Sequence, residues 1–429
     1  MSIYQALKDR GFVYQETDAV NTKKLLENEK VTFYVGFDPT GSSLHVGHLL
    51  PIMAMRLLQK AGHIPVVLVG GATAQIGDPS GKQSTRPILT KDEVADNAEA
   101  LRKQLSRFIS VEAGEAHFVN NLDWLKELNY IDFLRIIGSK FSVNRMLAQE
   151  SVKARLEEGL TFLEFNYSIL QAYDFYILNR DLNCTMQFGG QDQWGNMIAG
   201  VDLTRRMNSK EVYCTTFPLL LDSNGQKFGK TAGGNNVWLD TERTSVFDYY
   251  QFWRNSEDDQ VQKLFCYFTN LPVDEIKELS SLEAPAINRA KEILAYEATM
   301  QAHGEAEARK AYLTAGSKFG FADPECKIKT SSNIVEIKTE IDKSFSDMPN
   351  VELPAADFEG DGMWIVKLFT NAGLCQSNGD ARRLIKGGGA YINDERISNM
   401  DMNVKSDAFA DGFIILRAGK KNIKKITLK

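Results

Sequence analysis

Short apolar runs alternate with longer amphipathic stretches over residues 31–230. The runs VTFYVGF, IPVVLVG and CTMQFGG are rich in β-branched and apolar residues, as buried strands are. The stretches between them have helical spacing. Because strands that alternate with helices form a parallel sheet covered by helices, this pattern predicts the α/β fold class, with one domain over residues 1–232. That architecture is common among proteins that bind nucleotides.

The pattern changes after this domain. From about Thr244 to Gly316 the strand signals vanish, and long amphipathic stretches such as INRAKEILAYEATMQAH predict a helical domain over residues 233–320. Prolines and polar runs then predict a linker with limited structure over residues 321–360.

A small basic module is predicted at the end of the chain, over residues 361–429. Its segment SNGDARRLIKGGGAYINDERI begins with a Ser-x-x-Asp capping pattern, continues as a basic helix, stops at three glycines and resumes as a strand. The module carries 12 basic and 7 acidic residues, whereas the whole chain has a net charge of −6. Such an asymmetry suggests a polyanion bound at one end, although basic runs are often only solvated faces.

Composition narrows the protein class. Hydrophobic residues make up 43% of the chain, and no apolar run approaches the roughly 18 residues of a membrane span or resembles a signal peptide. The five cysteines are odd in number and form no C-x-x-C pair. We therefore expect a cytoplasmic, multi-domain protein without a structural metal and without a membrane partner.

One segment of the first domain runs from a strand through the turn Asp38-Pro39-Thr40 into a helix. His45 and His48 stand three residues apart near its first turn, so two imidazoles would share one helical face beside free backbone N–H groups. A phosphate binds well at such a place, and Gly47 would let a flat base approach closely. The alternative, which these residues alone favour, is a pair of surface histidines.

A second segment, LLLDSNGQKFGKT, follows an apolar strand as a polar loop. Its Lys227 and Lys230 flank Phe228 and Gly229, and two ammonium groups on a loop could close over a phosphate in a transition state. A solvated basic loop is the commoner origin of an isolated K-x-x-K.

Two further segments carry polar groups in places suited to a ligand. Tyr167, Gln171 and Asp174 form one stripe on an otherwise apolar helix, which indicates either a buried polar site or hydrogen bonds of the core. QFGGQDQWGN reads as a strand end, a Gly-Gly turn and a helix start, where α/β sheets present ligand groups, or only as a turn. The segment GDPSGK does not fit a P-loop, because three residues separate its glycines and Gln83 replaces Ser or Thr.

The pairing of HVGH with KFGKT about 180 residues later resembles the HIGH and KMSKS signatures of class I aminoacyl-tRNA synthetases. The surrounding segments narrow the resemblance to the bacterial-type tyrosyl-tRNA synthetase family across nearly the whole chain. In chain order they are GFDPTGSSLHVGH, GDPSGK, NNLDW, FSVNRM, LQAYDF, GGQDQWGN and KFGKT.

This resemblance implies a Rossmann-like catalytic domain, a helical domain that binds the anticodon region, and a C-terminal RNA-binding module. It implies activation of tyrosine with ATP to tyrosyl-adenylate and pyrophosphate, followed by transfer of the tyrosyl group to the 3′-end of tRNA(Tyr). Mg²⁺ would accompany ATP, no metal would be tightly bound to the protein, and tRNA would cross between the subunits of a homodimer.

Residue roles follow from the same resemblance. For tyrosine, it implies that Tyr34 and Asp174 bind the phenol, that Asp78, Tyr167 and Gln171 bind the ammonium group, and that Gln187 and Gln193 lie near the carboxylate. For ATP, it implies contacts from Gly36, Asp38, Gly47, His48, Gly190, Asp192 and Lys230. For the departing pyrophosphate, it implies Thr40, His45, His48, Lys82, Arg86, Lys227 and Lys230. For RNA, it implies Arg382, Arg383 and Lys386, with Lys420, Lys421, Lys424 and Lys425 near the terminus.

Two positions depart from the family pattern, and two rivals remain. Val35 and Pro51 stand where some relatives carry a cysteine and a threonine, which leaves open how the ribose of ATP is bound. A tryptophan-specific enzyme should lack the pair of Asp174 and Tyr34. A related RNA-binding protein without catalysis should have lost the histidines and lysines of the two signatures.

Overall fold

The computed structural model describes residues 2–80, 89–112, 114–156, 159–221, 225, 228–229, 236–337, 350–393, 395–409, 412–419 and 422–429. The chain forms two compact units. The first comprises Met1–Tyr312 and Ala322–Ile337, and the second comprises Leu313–Phe321 and Lys338–Lys429.

A six-stranded sheet forms the centre of the first unit in the described residues. Its strands are β1 (Gln15–Glu16), β2 (Thr32–Phe37), β3 (Ile64–Val69), β4 (His117–Asn120), β5 (Cys184–Gly190) and β6 (Tyr213–Phe217). Their order is β1-β6-β5-β2-β3-β4, and every pair is parallel except the edge pair β1-β6. The predicted α/β class with a parallel sheet is confirmed. Because consecutive strands lie on opposite sides of β2, ligands are expected at the carboxyl ends of β2 and β5.

Helices cover this sheet and continue beyond it. They are α1 (Ile3–Asp9), α2 (Ala19–Asn28), α3 (Val46–Lys60), α4 (Lys91–Leu105), α5 (Leu122–Leu125), α6 (Tyr130–Ile136), α7 (Val143–Leu147), α8 (Glu150–Leu156), α9 (Phe162–Phe165), α10 (Tyr167–Leu182), α11 (Trp194–Asn208), α12 (Val246–Arg254), α13 (Val261–Phe268), α14 (Val273–Ser280), α15 (Ile287–His303) and α16 (Glu305–Phe319). No helix among the described residues has the length and apolarity needed to cross a membrane.

The region from α12 onward is helical, as its sequence pattern predicts. Trp253 is fully buried, and the buried Arg289 bonds to Glu292 at 3.1 Å and to the Tyr312 hydroxyl at 2.9 Å. A buried guanidinium is tolerated here because it has a carboxylate and a hydroxyl as partners. The domain boundary at 232/233 stays a prediction, since residues 230–235 lie outside the described part.

The predicted linker differs from the structure at both ends. Near its start, Ile334 is 1% exposed and the Ser332 hydroxyl donates to Glu297 at 2.6 Å, so this stretch belongs to the first unit. Near its end, strand β7 (Asn350–Leu353) joins the sheet of the second unit. Pattern analysis missed this strand because its four residues lie between Pro349 and Pro354.

The second unit is the small α+β module that the sequence predicts, extended by β7. Its other elements are β8 (Met363–Trp364), α17 (Ile365–Asn371), α18 (Asn378–Lys386), β9 (Ala390–Ile392), β10 (Glu395–Arg396), β11 (Asn403–Val404), β12 (Phe413–Ala418) and β13 (Asn422–Leu428). The main sheet has the order β10-β9-β12-β13-β7. Ser377 caps α18 by accepting from the Asp380 amide, as the Ser-x-x-Asp pattern predicts.

Candidate active site

A cavity of about 450 Å³ opens at the carboxyl ends of β2, β3 and β5. All the tyrosine and nucleotide residues predicted from the sequence that the structure describes line it: Tyr34, Gly36, Asp38, Thr40, His45, Gly47, His48, Asp78, Tyr167, Gln171, Asp174, Gln187, Gly190, Asp192 and Gln193. Val35 and Pro51 also line it. The predicted cations Lys82, Arg86, Lys227 and Lys230 lie outside the described residues. The structure thus brings one set of residues together, and their individual roles stay predictions.

One end of the cavity holds a buried carboxylate. Asp174 on α10 is 2% exposed and accepts hydrogen bonds from Asn121 Nδ2 at 3.0 Å and Trp124 Nε1 at 2.8 Å. Burial raises the pKa of Asp174 to about 7, although the bonds from Asn121 and Trp124 act in the opposite direction. A carboxylate kept in so dry a place, with two donors fixed to it, is preorganised to accept one further hydrogen bond.

Tyr34 lies at the same end, on the central strand β2. Its hydroxyl is buried and bonds to none of the described residues, and its ring packs against Phe175 at 5.2 Å. Burial, followed by the charge of Asp174, raises the pKa of Tyr34 well above its usual value, so the hydroxyl keeps its proton. Because an unpaired buried hydroxyl costs about 1–3 kcal/mol, this group favours a polar ligand atom.

A chain of hydrogen bonds connects this end to the middle of the cavity. Asn121 Nδ2 also donates to Thr73 Oγ1 at 3.0 Å, and that hydroxyl donates to Asp38 Oδ1 at 2.7 Å. The Tyr167 hydroxyl donates to the other oxygen of Asp38 at 2.7 Å. Asp38 and Asp174 are thereby held in a fixed relation through two neutral side chains.

No role for Asn121, Trp124 or Thr73 is predicted from the sequence. The first two belong to the segment NNLDW, which by itself indicates only the family resemblance. Gly70 was missed as well, although a Cβ at that position would lie 2.0 Å from Asp38 Oδ1. These residues follow β3 and β4, and only the folded sheet brings them beside α10.

Asp78 and Gln193 form a second polar wall. Gln193 Nε2 donates to Asp78 Oδ2 at 2.7 Å, and the Ser80 amide donates to Asp78 Oδ1 at 3.0 Å. Asn196 Nδ2 donates to Gln193 Oε1 at 3.1 Å, so both ends of the Gln193 amide are engaged within the protein. By contrast, the carbonyl oxygen of Gln187 is buried and has no hydrogen-bond donor among the described residues.

The two histidines lie at the start of α3. His45 is the N-cap residue, its Nδ1 accepts from the Gly47 amide at 3.0 Å, and its own amide donates to His48 Nδ1 at 3.1 Å. The two rings stack with centroids 3.9 Å apart. Since each Nδ1 is an acceptor, each imidazole carries its proton on Nε2. Burial lowers the pKa of His45 to about 4, which keeps this ring neutral at pH 7.

The expected free backbone N–H groups are not free, which corrects the prediction. The Val46 amide donates to the Val237 carbonyl at 2.9 Å, the Gly47 amide to His45, and the His48 amide to the His45 carbonyl at 2.8 Å. The amides of the first turn are therefore occupied, and the side-chain donors at this helix start are the imidazole Nε2–H groups of His45 and His48. The structure shows a need for glycine at position 47 that does not involve a bound base: a Cβ there would lie 2.8 Å from His45 Cε1 and would displace the imidazole.

Part of the second signature is described, and it lies beside the first. An added Cβ at Gly229, whose φ is +105°, would lie 3.3 Å from the Gly47 nitrogen. The Phe228 ring packs on Phe252 at 5.1 Å and on Trp253 at 5.9 Å, both on α12. The backbone between the two lysines is thus close to the start of α3, and the positions of Lys227 and Lys230 themselves stay a prediction.

Gly190 and Asp192 are predicted to bind the ribose; Gly190 is the last residue of β5, and Asp192 follows it by two positions. A Cβ at Gly190 would lie 2.6 Å from Asp192 Oδ1, so the absence of a side chain at Gly190 makes room for this carboxylate. Val35 and Pro51 add apolar atoms to the wall and no hydrogen-bonding side chain, and the ribose contacts of Gly190 and Asp192 stay a prediction.

The predicted RNA residues lie on α18 of the second unit. The Arg382 guanidinium covers the Trp364 ring at 5.1 Å, and Arg383 forms a short ion pair with Asp380. Arg382 and Lys386 are exposed. Lys420 and Lys421 lie outside the described residues. Arg383 is partly neutralised by its partner, which leaves Arg382 and Lys386 as the stronger candidates for phosphate contacts.

Known proteins resemble both units. The family "tRNA synthetases class I (W and Y)" matches residues 26–319, and the family "Tyrosine--tRNA ligase SYY-like C-terminal domain" matches residues 340–426. The tyrosine–tRNA ligase of Clostridium botulinum (strain Eklund 17B / Type B) is 45% identical over 428 residues, with 100% of each chain covered. That of Clostridium tetani (strain Massachusetts / E88) is 44% identical over 428 residues, covering 100% of this chain and 99% of the relative. A C-terminally truncated mitochondrial tyrosyl-tRNA synthetase from Aspergillus nidulans superimposes with a TM-score of 0.66 at 28% identity, covering 73% of this chain and 92% of that one.

Proposed function

The chain belongs to the tyrosine–tRNA ligases of the class I tRNA synthetase family, and we propose that the cavity at the carboxyl ends of β2 and β5 is where it activates tyrosine with ATP. Its reaction is tyrosine–tRNA ligation. Tyrosine and ATP give tyrosyl-adenylate and pyrophosphate, and the tyrosyl group then passes to the 3′-end of tRNA(Tyr). The single observation that carries this assignment to the cavity is the buried pair of Asp174 and Tyr34 in its lining.

That pair accounts for the choice of amino acid. The Asp174 carboxylate, already holding two N–H donors, accepts the substrate's phenolic O–H, and the unpaired Tyr34 hydroxyl bonds to the phenolic oxygen. Phenylalanine would leave the buried Tyr34 hydroxyl unpaired and would give Asp174 no donor beyond Asn121 and Trp124, so it should bind less tightly than tyrosine. A tryptophan side chain offers no hydroxyl to this pair, so the tryptophan-specific alternative is disfavoured.

The remaining tyrosine contacts follow the polar walls. Asp78 and Tyr167, with Gln171, surround the substrate ammonium group, and Gln187 offers its amide near the carboxylate. Gln193 supports the tyrosine site indirectly by holding Asp78, because its amide is hydrogen-bonded to Asp78 and Asn196. The hydrogen bonds of Asp78 and Asp38 hold those carboxylates in place before the substrate enters.

The chemical step needs positioning and charge stabilisation more than proton transfer. The tyrosine carboxylate is ionised near neutral pH, so it attacks the α-phosphorus of ATP without a general base, and the bond to pyrophosphate breaks. His45 and His48 donate their Nε2–H groups to phosphate oxygens. Thr40, Lys82, Arg86, Lys227 and Lys230 are proposed to stabilise the negative charge of the leaving pyrophosphate. Mg²⁺, bound with ATP, would share that task.

RNA binding is assigned to the second unit. Three observations support contacts with the phosphates of tRNA(Tyr). The unit has more basic than acidic residues over 361–429, Arg382 and Lys386 are exposed, and the unit matches the C-terminal domain of tyrosine–tRNA ligases. In Arg382→Gln the slope of log affinity against log salt should become shallower by about 0.7–0.9. Lys367→Gln, an exposed lysine on α17, is the matched control. An unchanged slope in Arg382→Gln would remove this residue from the RNA face.

A homodimer is proposed from the distribution of exposed apolar side chains. Of the fourteen large ones in the described residues, eight lie between residues 130 and 163: Tyr130, Ile131, Leu134, Ile136, Val143, Leu156, Phe162 and Leu163. Helices α6, α7 and α9 share one core cluster, so this apolar surface is concentrated in one region. Light scattering should give a dimer that Phe162→Glu converts to monomer, whereas a monomeric wild type would contradict the proposal.

The location of the enzyme follows from its substrates. The family's ligation reaction uses ATP, tyrosine and tRNA, and the five cysteines are free thiols in the structure, which supports the cytoplasm.

Amino-acid-dependent ATP–pyrophosphate exchange tests the central proposal. Purified protein should exchange with tyrosine and not with phenylalanine or tryptophan. Exchange with no amino acid, together with tight RNA binding, would instead support a non-catalytic RNA-binding protein.

A further inference from the structure

Residues 237–239, a short stretch after the KFGKT segment, are hydrogen-bonded to the backbone around the HVGH segment. The Val46 amide donates to the Val237 carbonyl at 2.9 Å, and the Leu239 amide donates to the Leu44 carbonyl at 2.9 Å. His45 and Trp238 thereby face each other in an isolated antiparallel bridge. The Val237 amide also donates to the Gly229 carbonyl at 2.9 Å. One residue, Val237, therefore joins the backbones of both signatures.

The side chain in the middle of this stretch touches the catalytic histidine. The Trp238 indole meets the His45 imidazole edge to face, with centroids 5.9 Å apart at 71°. Contacts with other residues hold Trp238 in place. The Arg243 guanidinium covers its ring at 4.8 Å, Arg243 Nη2 donates to Ser42 Oγ at 2.6 Å, and the Trp238 amide donates to Thr244 Oγ1 at 3.0 Å.

The indole is not required to fill the core. Val237 and Leu239 are 1% and 2% exposed and anchor the stretch, whereas Trp238 between them is only half-buried. A large aromatic ring kept half-exposed against a site histidine, under an arginine, suits a positioning purpose better than a packing one.

We propose that Trp238, secured by Arg243, is a positioning residue that holds the His45 imidazole in the orientation that directs its Nε2–H to the phosphates. His45 Nδ1 is tied to the Gly47 amide, so the direction of Nε2–H depends on how far the ring can turn about that bond. His48 stacks on the ring at 3.9 Å, and the indole edge limits its rotation further. This inference rests on the proposed function, since it presumes that His45 meets a phosphate.

Kinetics of Trp238 variants provide the first test. In Trp238→Leu, kcat of tyrosine-dependent pyrophosphate exchange should fall about tenfold while KM for tyrosine stays within about twofold, because small misplacements of a transition-state donor cost rate. Trp238→Phe restores an aromatic edge and should recover most of the rate. Arg243→Gln should show a smaller loss. Arg180→Gln is the matched control, since Arg180 also covers an aromatic ring, Tyr176 at 5.7 Å, but on the surface of α10.

A double-mutant cycle decides whether Trp238 acts through His45. In a His45→Gln background, Trp238→Leu should lower kcat by no more than about twofold, because the group it positions is gone. An undiminished tenfold loss there, or a loss confined to KM for tyrosine, would overturn the proposal. Equal thermal unfolding midpoints of the variants would exclude misfolding, and Arg243→Gln takes the place of Trp238→Leu in the cycle if Trp238→Leu is unstable.

Imidazole ¹⁵N NMR gives a readout that does not depend on activity. Wild-type His45 should show widely separated Nδ1 and Nε2 shifts of one tautomer, and in Trp238→Leu these should move toward each other as the ring gains freedom. Unchanged His45 shifts would overturn the proposal even if activity fell. A wild type that showed the fixed tautomer but no exchange with tyrosine would refute the proposed function and leave the positioning contact standing.

Discussion

The two ends of the cavity are built in different ways. At the end proposed for the phenol (the phenol end), Asp174 already accepts two N–H donors and is connected through Asn121 and Thr73 to Asp38. At the end proposed for the phosphates (the phosphate end), the described side-chain donors are the imidazoles of His45 and His48 and the hydroxyl of Thr40, and the amides of the first turn of α3 are occupied within the protein. The first end presents a buried carboxyl group as hydrogen-bond acceptor, whereas the described donors of the second are uncharged side chains.

On the proposed function, the first end selects the amino acid and the second end sets the rate of tyrosine activation. A preorganised buried carboxylate discriminates between amino acids in the ground state, so its loss should weaken tyrosine binding. Neutral donors aimed at phosphate oxygens gain strength as charge develops on the leaving group, so their loss should slow the reaction. In the proposed mechanism, Mg²⁺ and the four predicted cations supply the positive charge that stabilises pyrophosphate.

The largest effect is expected at the phosphate end. His45→Ala should lower kcat for tyrosine activation about 100-fold, equivalent to about 2.7 kcal/mol, while KM for tyrosine stays within about twofold. Pyrophosphate exchange at varied tyrosine concentration measures both. His117→Asn, on the edge strand β4, is the control. An equal loss of tyrosine affinity in His45→Ala would show that the two ends are not separable.

Asp174→Asn is expected to raise KM for tyrosine, whereas His45→Ala is expected to lower kcat. The side chain keeps its size but loses its charge and presents an NH₂ group toward neighbours that are themselves donors, so KM for tyrosine should rise about 30-fold, or about 2 kcal/mol. Preference over phenylalanine should fall in parallel. Asp123→Asn, an exposed neighbour of Trp124, should leave both unchanged. A loss seen mainly in kcat would contradict a recognition role.

How far the site could be predicted depends on the distance along the chain between its parts. The stripe of Tyr167, Gln171 and Asp174 follows from helical spacing, and the pair of histidines from a local motif. Asn121 and Trp124 could not be assigned in this way, because they lie about 50 residues from Asp174 and meet it only across the folded sheet. Likewise, the partner of the Val46 amide is Val237, far along the chain, so these amides looked free in the sequence.

The fold follows the same rule. The alternation of strands and helices predicts a parallel sheet because each element carries its own period. The short strand β7 is visible only through its pairing with β13, which lies more than 70 residues later. Local pattern therefore predicts elements and motifs, while contacts between distant segments complete the site and set the limits of the modules.

The pH dependence of tyrosine affinity tests the buried carboxylate directly. With a pKa near 7, Asp174 becomes protonated as the pH falls from 8 to 6, and a protonated carboxyl accepts the phenolic O–H less well. KM for tyrosine should therefore rise about tenfold over this interval, as a group of pKa 7 titrates. Asp174→Asn should abolish the dependence. A flat profile in the wild type would mean that the ionised form is not the one that binds.

The smallest effect should come from the donors that hold the carboxylate. Asn121→Ala removes one N–H from Asp174, so KM for tyrosine should rise about fivefold, or about 1 kcal/mol, with kcat nearly unchanged. Because the Asn121 bond lowers the pKa of Asp174, its removal should also move the midpoint of the pH profile upward. Trp124→Phe removes the other donor and should move the midpoint in the same direction, whereas Asn28→Ala on the exposed face of α2 should not. If the midpoint stayed in place in both donor variants, the ionisation that governs tyrosine binding would belong to another group, and the contrast between the two ends would no longer rest on Asp174.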